Sequence, residues 1–460
     1  MSFLPLAHGI GAVKDLPLPL WLFYYTGAIV LVVSFVALGV LWTKPRLENN
    51  HWAKPLPGWL QAILLSGVLR FLLGAFSFGL LVVNFLAALI GEPSQGANLS
   101  PTFVFVIFWV GMVPLVVVFG DVWRVLSPWK AAADGVAWVS KRLGLRWDPL
   151  AEYPYRLGRW PAAVLLFSFT AYELAYLNAS EPRKLALAIL IYSWVTWVGA
   201  AIFGREAWFG RGDGFSVYFN FLSRIAPFGV REREEEEGRE IVLRPPLAAL
   251  AVWDVIPGTV AMVAVMLGSV AFDGFSRTAT WQNRLFSVEE KLISSPGLSD
   301  LVVTGLNLLG LAVFVLLVAA AYLLAVAGAR AVAHSERSLV DAFIFSLVPI
   351  ALAYNLAHYF SLLVNQGQFA IPLSSDPFGF GWDLFGTADF SPNLTALTPN
   401  MVWYTQVAVL VIGHVLGLLL AHDRAIALFA SPRTAVRTQY AYLVLMVLYT
   451  VGGLWLLSQG

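Results

Sequence analysis

The sequence predicts an all-α integral membrane protein with about ten transmembrane helices, and three observations lead there. Hydrophobic residues make up 59% of the 460 positions and charged residues only 12%, about half the share typical of a soluble domain. Apolar stretches of about 20 residues, enough to cross a hydrocarbon layer as a helix, recur from one end of the chain to the other. The basic residues between those stretches alternate in density, as the positive-inside rule requires.

The stretches fall at 21–42, 71–91, 102–119, 161–177, 185–203, 246–271, 301–326, 339–364, 401–420 and 440–457, bounded by charge, proline or glycine. The apolar run 58–90 is too long for one upright helix, so its first part, ending at Arg70, reads as an extension or interfacial segment. The connections 43–57, 120–160, 204–245, 327–338 and 421–439 together hold 22 Lys and Arg, whereas the opposite set holds six. That bias assigns the first set to the cytoplasm. Both termini then face the exported side of a bacterial inner membrane. Residues 1–20 lack the basic start of a signal peptide, so the first span is expected to stay as an uncleaved anchor.

Within the third cytoplasmic connection, residues 205–228 interleave aromatic side chains with Arg205, Arg211 and Arg224, the pattern of a helix lying in the membrane interface. The mixed-charge run from Arg231 to Glu240 reads as a solvated excursion. Asn98, Asn178 and Asn393 begin Asn-x-Ser/Thr triplets, and Arg211–Asp213 spells Arg-Gly-Asp; short matches of this kind carry no weight in a bacterial membrane protein.

Five spans on each side of the midpoint divide the single transmembrane domain into halves, 1–245 and 246–460, of opposite orientation. The long connection 120–160 is mirrored by 365–400, and Glu173 and His414 lie at similar distances from their span starts. A 5+5 inverted repeat would place a substrate site at the interface of the halves near the bilayer midplane.

Composition also excludes. With no cysteine there are no disulfides, iron–sulfur clusters or thiol nucleophiles, and a net charge of +1 argues against nucleic acid as a partner. Walker A, Gly-x-Ser-x-Gly, His-Glu-x-x-His and Cys-x-x-Cys-His motifs are absent, so ATP-driven transport by this chain alone is not expected.

What remains is a short roll of ionisable residues within apolar spans, each costing about 2.5–3.5 kcal/mol to insert and therefore a functional candidate. Asn355, His358 and Tyr359 share one face of span eight by spacings of three and four, and Tyr172, Glu173 and Tyr176 a face of span four. Asp273 ends span six at the same depth. Asp254 is expected inside span six, three residues before Pro257, and His414 between Gly413 and Gly417 of span nine. Glu173, His358, Asp254 and His414 are the proton-relay or substrate-binding candidates. His8, reaching back over the exported mouth toward His358, Glu173 and Asp273, would complete a site for one divalent transition metal. Plain mutual hydrogen bonding of these groups is the structural alternative. Asp121 and Arg124 are expected to pair, and His422, Asp423 and Arg424 to anchor the end of span nine.

Several segments carry a resemblance. Ala7-His-Gly-Ile-Gly11 followed by Asp15-Leu-Pro-Leu-Pro19, Val122-Trp-Arg-Val-Leu-Ser-Pro128, the run Ser375-Asp-Pro-Phe-Gly-Phe-Gly-Trp-Asp-Leu-Phe-Gly-Thr387, and Gly413-His-Val-Leu-Gly followed by His422-Asp-Arg424 resemble a family of polytopic actinobacterial proteins labelled fenitrothion hydrolase. The resemblance implies organophosphate ester hydrolysis, for which a metal-activated water would be needed. The sparse His and carboxylates on kinked spans fit instead a permease for a small solute or ion, with proton coupling. A structural subunit of a membrane complex or homo-oligomer, its 18 Trp serving partly as interface, is the third reading.

Overall fold

A computed structural model describes residues 19–48, 53–145, 148–232, 238–333 and 338–459. The fold is an all-α helical bundle of membrane type. Among the described residues, nine helices are long and apolar enough to cross a membrane. They are α1 (Leu20–Leu41), α2 (Gly67–Ile90), α3 (Leu99–Phe119), α5 (Pro182–Phe203), α7 (Thr259–Ser276), α8 (Pro296–Val332), α9 (Leu339–Ser375), α10 (Pro399–Leu428) and the helix ending the chain, α11, whose last piece is Tyr440–Leu457. A tenth apolar helix, α4 (Trp160–Ala175), has 16 residues, about 24 Å at 1.5 Å per residue.

Burial sorts these helices into a centre and a rim. In α7 and α9 the apolar windows are 78% and 83% buried by protein, in α1 only 17%. α1 shows why. Its buried residues Phe23, Gly27, Leu31 and Phe35 recur every fourth position and form one stripe against α10 and α11. The rest of α1 presents Ile29, Val32, Val33, Val36 and Val40 outward, an apolar surface of membrane type. α7 is instead apolar all round because α4, α8 and α9 enclose it.

At one end of the bundle three short strands, β1 (Lys54–Pro55), β2 (Phe228–Glu232) and β3 (Arg239–Leu243), form an antiparallel sheet in the order β1-β3-β2. Arg231 faces Glu240 across the β2–β3 register and pairs with it. This is the sheet end. The C-termini of α4 and α7 mark the opposite, acidic end.

Three expectations are corrected. The helix expected over 246–271 begins only at Thr259, so Asp254 lies in an exposed, non-helical segment outside the membrane-crossing helix. The cause is local: Gly258 takes φ +83, and a Cβ there would meet the Trp160 nitrogen at 2.4 Å. Pro257 thus breaks the chain direction where a mere kink was expected.

Residues 205–228 do not lie along an interface. A π-helical turn, Trp208–Gly212, leads into α6 (Gly214–Ser223), whose Phe215, Val217, Tyr218, Phe219, Phe221 and Leu222 are all buried. α6 packs on α3, α4 and α9. Its N-cap is Asp213, fully buried, which accepts from Ser216 N (2.9 Å), Tyr192 Oη (2.7 Å) and Thr196 Oγ1 (3.1 Å). Because Tyr192 and Thr196 sit midway along α5, the chain re-enters the bundle before α6 begins. Irregular backbone at that depth is tolerated only where protein encloses it.

Asp121 and Arg124 stay within electrostatic reach, Arg124 N serving Asp121, but their side chains close no direct ion pair among the described residues. Asp121 accepts from Asn220 Nδ2 at 2.9 Å, while Arg124 bonds Glu206 at 3.2 Å. His422 and Asp423 are buried within α10, which runs on to Leu428, and tie it to the segment that follows α1. Asp423 accepts from Trp42 Nε1 and Arg46 N, both at 2.7 Å, and His422 lies between Gln439 Oε1 (3.0 Å) and Trp42 O (3.2 Å).

Candidate functional site

The last turn of α7 and the middle of α9 meet in a buried polar cluster. Asp273 stands four residues before Arg277, so both project from one face of the same helix. Arg277 donates to Asp273 Oδ1 through Nη2 at 3.0 Å and Nε at 3.3 Å. The other oxygen, Oδ2, accepts from Tyr359 Oη at 2.9 Å and lies 2.9 Å from His358 Nε2. Asp273, His358 and Tyr359 are 2%, 5% and 3% exposed.

The face read from the sequence continues one turn further along α9. Asn355 donates to Tyr218 Oη of α6 at 3.3 Å, and the Tyr218 ring lies 4.9 Å from that of Trp109. Trp109 owes its position to the backbone of α3. Bonds from Trp109 N to Val104 O (3.0 Å) and from Gly111 N to Val106 O (2.9 Å) skip one residue more than an α-helix does. Such a π-segment advances the following side chains around the helix.

Glu173, from the last turn of α4, completes the group. It lies within electrostatic reach of Asp273 and Arg277, and also of Tyr218 and Tyr359. Trp109 stands beside it without closing a hydrogen bond, and Glu173 Oε2, Trp109 Nε1 and Asn355 Oδ1 are all buried without a partner. Each such atom costs about 1–3 kcal/mol. Tyr172 and Tyr176, expected on the same face as Glu173, stack on each other with ring centroids 5.8 Å apart, and Tyr172 donates to Ala179 O.

The remaining candidates fall elsewhere. His414 is fully buried, with Nδ1 2.8 Å from Leu410 O of its own helix, Nε2 without a partner, and its ring 5.9 Å from Tyr354. Asp254 sets a backbone oxygen 3.5 Å from Arg159 Nη1, and its carboxyl group lies within electrostatic reach of Arg159 and Arg224 at the sheet end. His8 lies outside the described residues. Among the described residues no three His, Asp or Glu side chains approach closely enough to hold a metal ion, so Glu173, Asp273 and His358 do not form one by themselves.

Sequence reasoning missed Arg277, Tyr218, Trp109 and Asp213. Arg277 had counted only toward orientation, although its i,i+4 spacing from Asp273 was visible. Asp213 carried a cap signal, an Asp before Gly214-Phe-Ser216. Nothing local links Trp109 or Tyr218 to the cluster; the fold brings them there. Comparison with protein-family models, curated proteins and solved structures gives no match.

Proposed function

We propose that the protein is a permease for a small solute or ion, with Glu173 carrying the coupling proton. The observation behind this reading is the Glu173 carboxyl group, whose Oε2 is buried and unpartnered beside a second carboxylate that is already neutralised. Arg277 balances Asp273, which leaves Glu173 as the carboxyl group of the cluster without a charge partner in contact. Few charges to move within an apolar enclosure is what a proton relay needs.

The backbone supports the same reading. α3 is interrupted by π-helix at Phe103–Phe108 and α9 by 3-10 helix at Ile344–Leu347, the third long helix of either half. Interrupted spans at corresponding positions, together with the re-entrant α6, mark the binding region in many transporters. The excess of Lys and Arg supports placing the sheet end in the cytoplasm, with the acidic end and both termini on the exported side.

Liposomes holding the purified protein and an internal pH-sensitive dye test the proposal. Amino acids, sugars, organic anions and inorganic ions are offered in turn under an imposed membrane potential. One class should evoke proton flux in the parent and none in Glu173→Gln of equal thermal stability. Equal flux in the variant removes Glu173 from the mechanism. Stoichiometric bound metal by elemental analysis, with no flux for any class, favours the organophosphate hydrolase instead.

A further inference from the structure

A second charged cluster, at the sheet end, has no part in that mechanism. Arg159 precedes α4, Arg224 closes α6 and Arg244 follows β3. The Arg159 and Arg224 Cζ atoms lie 4.0 and 3.7 Å from the centroid of the Trp253 ring. The two guanidinium carbons are therefore no more than about 8 Å apart, where like charges repel across a low-dielectric wall. Arg159 also packs 5.1 Å from the Phe221 ring and is 4% exposed.

Among the described residues, every hydrogen-bond acceptor these groups have found is neutral. Arg159 Nη1 donates to Thr259 Oγ1 at 2.6 Å and faces Asp254 O at 3.5 Å. Arg224 reaches Asn220 Oδ1 at 3.3 Å and Ala249 O at 3.5 Å, and Arg244 reaches Phe228 O at 3.4 Å. The Nε atoms of Arg159 and Arg244 are buried and unpartnered. Among the described residues no carboxylate closes an ion pair with any of the three. Burial first, then Arg211, pulls Arg159 down to about 10 against the opposing field of Asp254; burial, then Arg244 and Arg159, pulls Arg224 to about 9 against Asp121 and Asp254, neither of which closes an ion pair with them. α7 starts beside them at Thr259 with no side-chain cap, so its N-terminus adds positive potential.

Like charges gathered without a direct ion-pair partner are costly, and a fold that keeps two of them on one indole face with a third within electrostatic reach gains when an anion joins them. We propose that Arg159, Arg224 and Arg244 form a binding site for a phosphate-type oxyanion, whether free phosphate or the phosphate of an anionic lipid headgroup. Guanidinium groups suit this class because their paired N–H donors match two phosphate oxygens at once. The cluster lies at the helix boundaries of α4, α6 and α7, the level at which a headgroup would also reach it.

Thermal unfolding of the purified protein in neutral detergent, with sodium phosphate set against sodium chloride at matched ionic strength, gives the first arm. The second arm compares phosphatidylcholine nanodiscs with and without phosphatidylglycerol. Stabilisation by phosphate beyond the chloride control identifies free phosphate. Stabilisation only by phosphatidylglycerol identifies the headgroup. In whichever arm responds, Arg224→Gln should raise the half-saturating concentration about tenfold, the loss of one charge-assisted contact. Arg244, half-buried and held by one backbone oxygen, supplies a second variant, Arg244→Gln, if Arg224→Gln does not purify as a folded species. No excess stabilisation in either arm overturns the proposal, and so does an excess that both variants keep unchanged.

Discussion

The two ends of the bundle hold buried charge in opposite ways. At the acidic end, Asp273 is met by Arg277, His358 and Tyr359, each within about hydrogen-bond distance, so charge is cancelled by direct contact. At the sheet end, Arg159 and Arg224 crowd one indole and their charges add. The first arrangement is internally complete except for Glu173 and its neighbours; the second is held by ring faces and neutral oxygens. Neutralised charge can stay where it is and shift a proton. Additive charge calls for an outside ion.

Breaking the acidic end should cost most. Asp273→Asn replaces one of two acceptor oxygens with a donor and leaves Arg277 without its counter-charge, an expected loss of about 3 kcal/mol, at the low end for a broken buried pair because Arg277 keeps 28% side-chain exposure. A clearly lowered thermal midpoint in detergent is the expected outcome. An unchanged midpoint would show that the cluster's charges are not coupled as described.

The sheet end should respond less, and to shape more than charge. Trp253→Leu keeps an apolar wall but loses the ring face under both guanidinium groups, an expected cost of about 2 kcal/mol. Trp253→Phe should recover about half of it. If Leu and Phe behave alike by thermal unfolding, the ring face is not what holds the arginines.

Surface pairing gives the smallest effect and a pH signature. Partial burial raises the Glu206 carboxyl, but Lys130, followed by Arg124, outweighs it and holds the group below its usual range. A depressed carboxyl contributes above its unfolded value and loses that contribution as pH falls through the folded one. Parent and Glu206→Gln should therefore differ slightly near neutrality and converge below about pH 4. Glu206 is 69% exposed, so the difference should be well under that of the buried variants. A gap that widens with acid would contradict the pairing.

Much of the bundle was legible in the sequence because the membrane imposes one rule: long apolar runs must be helices. The Asn355, His358, Tyr359 face followed from 3.6-residue periodicity. Gly413 followed from size: a Cβ there would stand 2.1 Å from the Ala353 Cβ and 2.8 Å from Pro349 O, so α9 and α10 can cross closely only at glycine. The misreadings lie where the backbone leaves its period. Pro257-Gly258 ended a helix that hydropathy continued, and placed Asp254 outside. Residues 205–228 have the composition of an interfacial helix, yet the Asp213 cap and the surrounding glycines let the chain turn back into the protein. Composition reports polarity but not depth.

The central claim rests on Glu173, and its carboxyl group can be watched directly. Infrared titration of the purified protein in lipid should show, in the difference between parent and Glu173→Gln, one carboxyl C=O band that appears and disappears with pH, over the signal the other carboxyl groups give in both. Both proteins should unfold at similar temperatures, because the amide keeps the shape of the side chain. Titration spectra of parent and Glu173→Gln that superimpose, with no carboxyl band in their difference, would contradict the account.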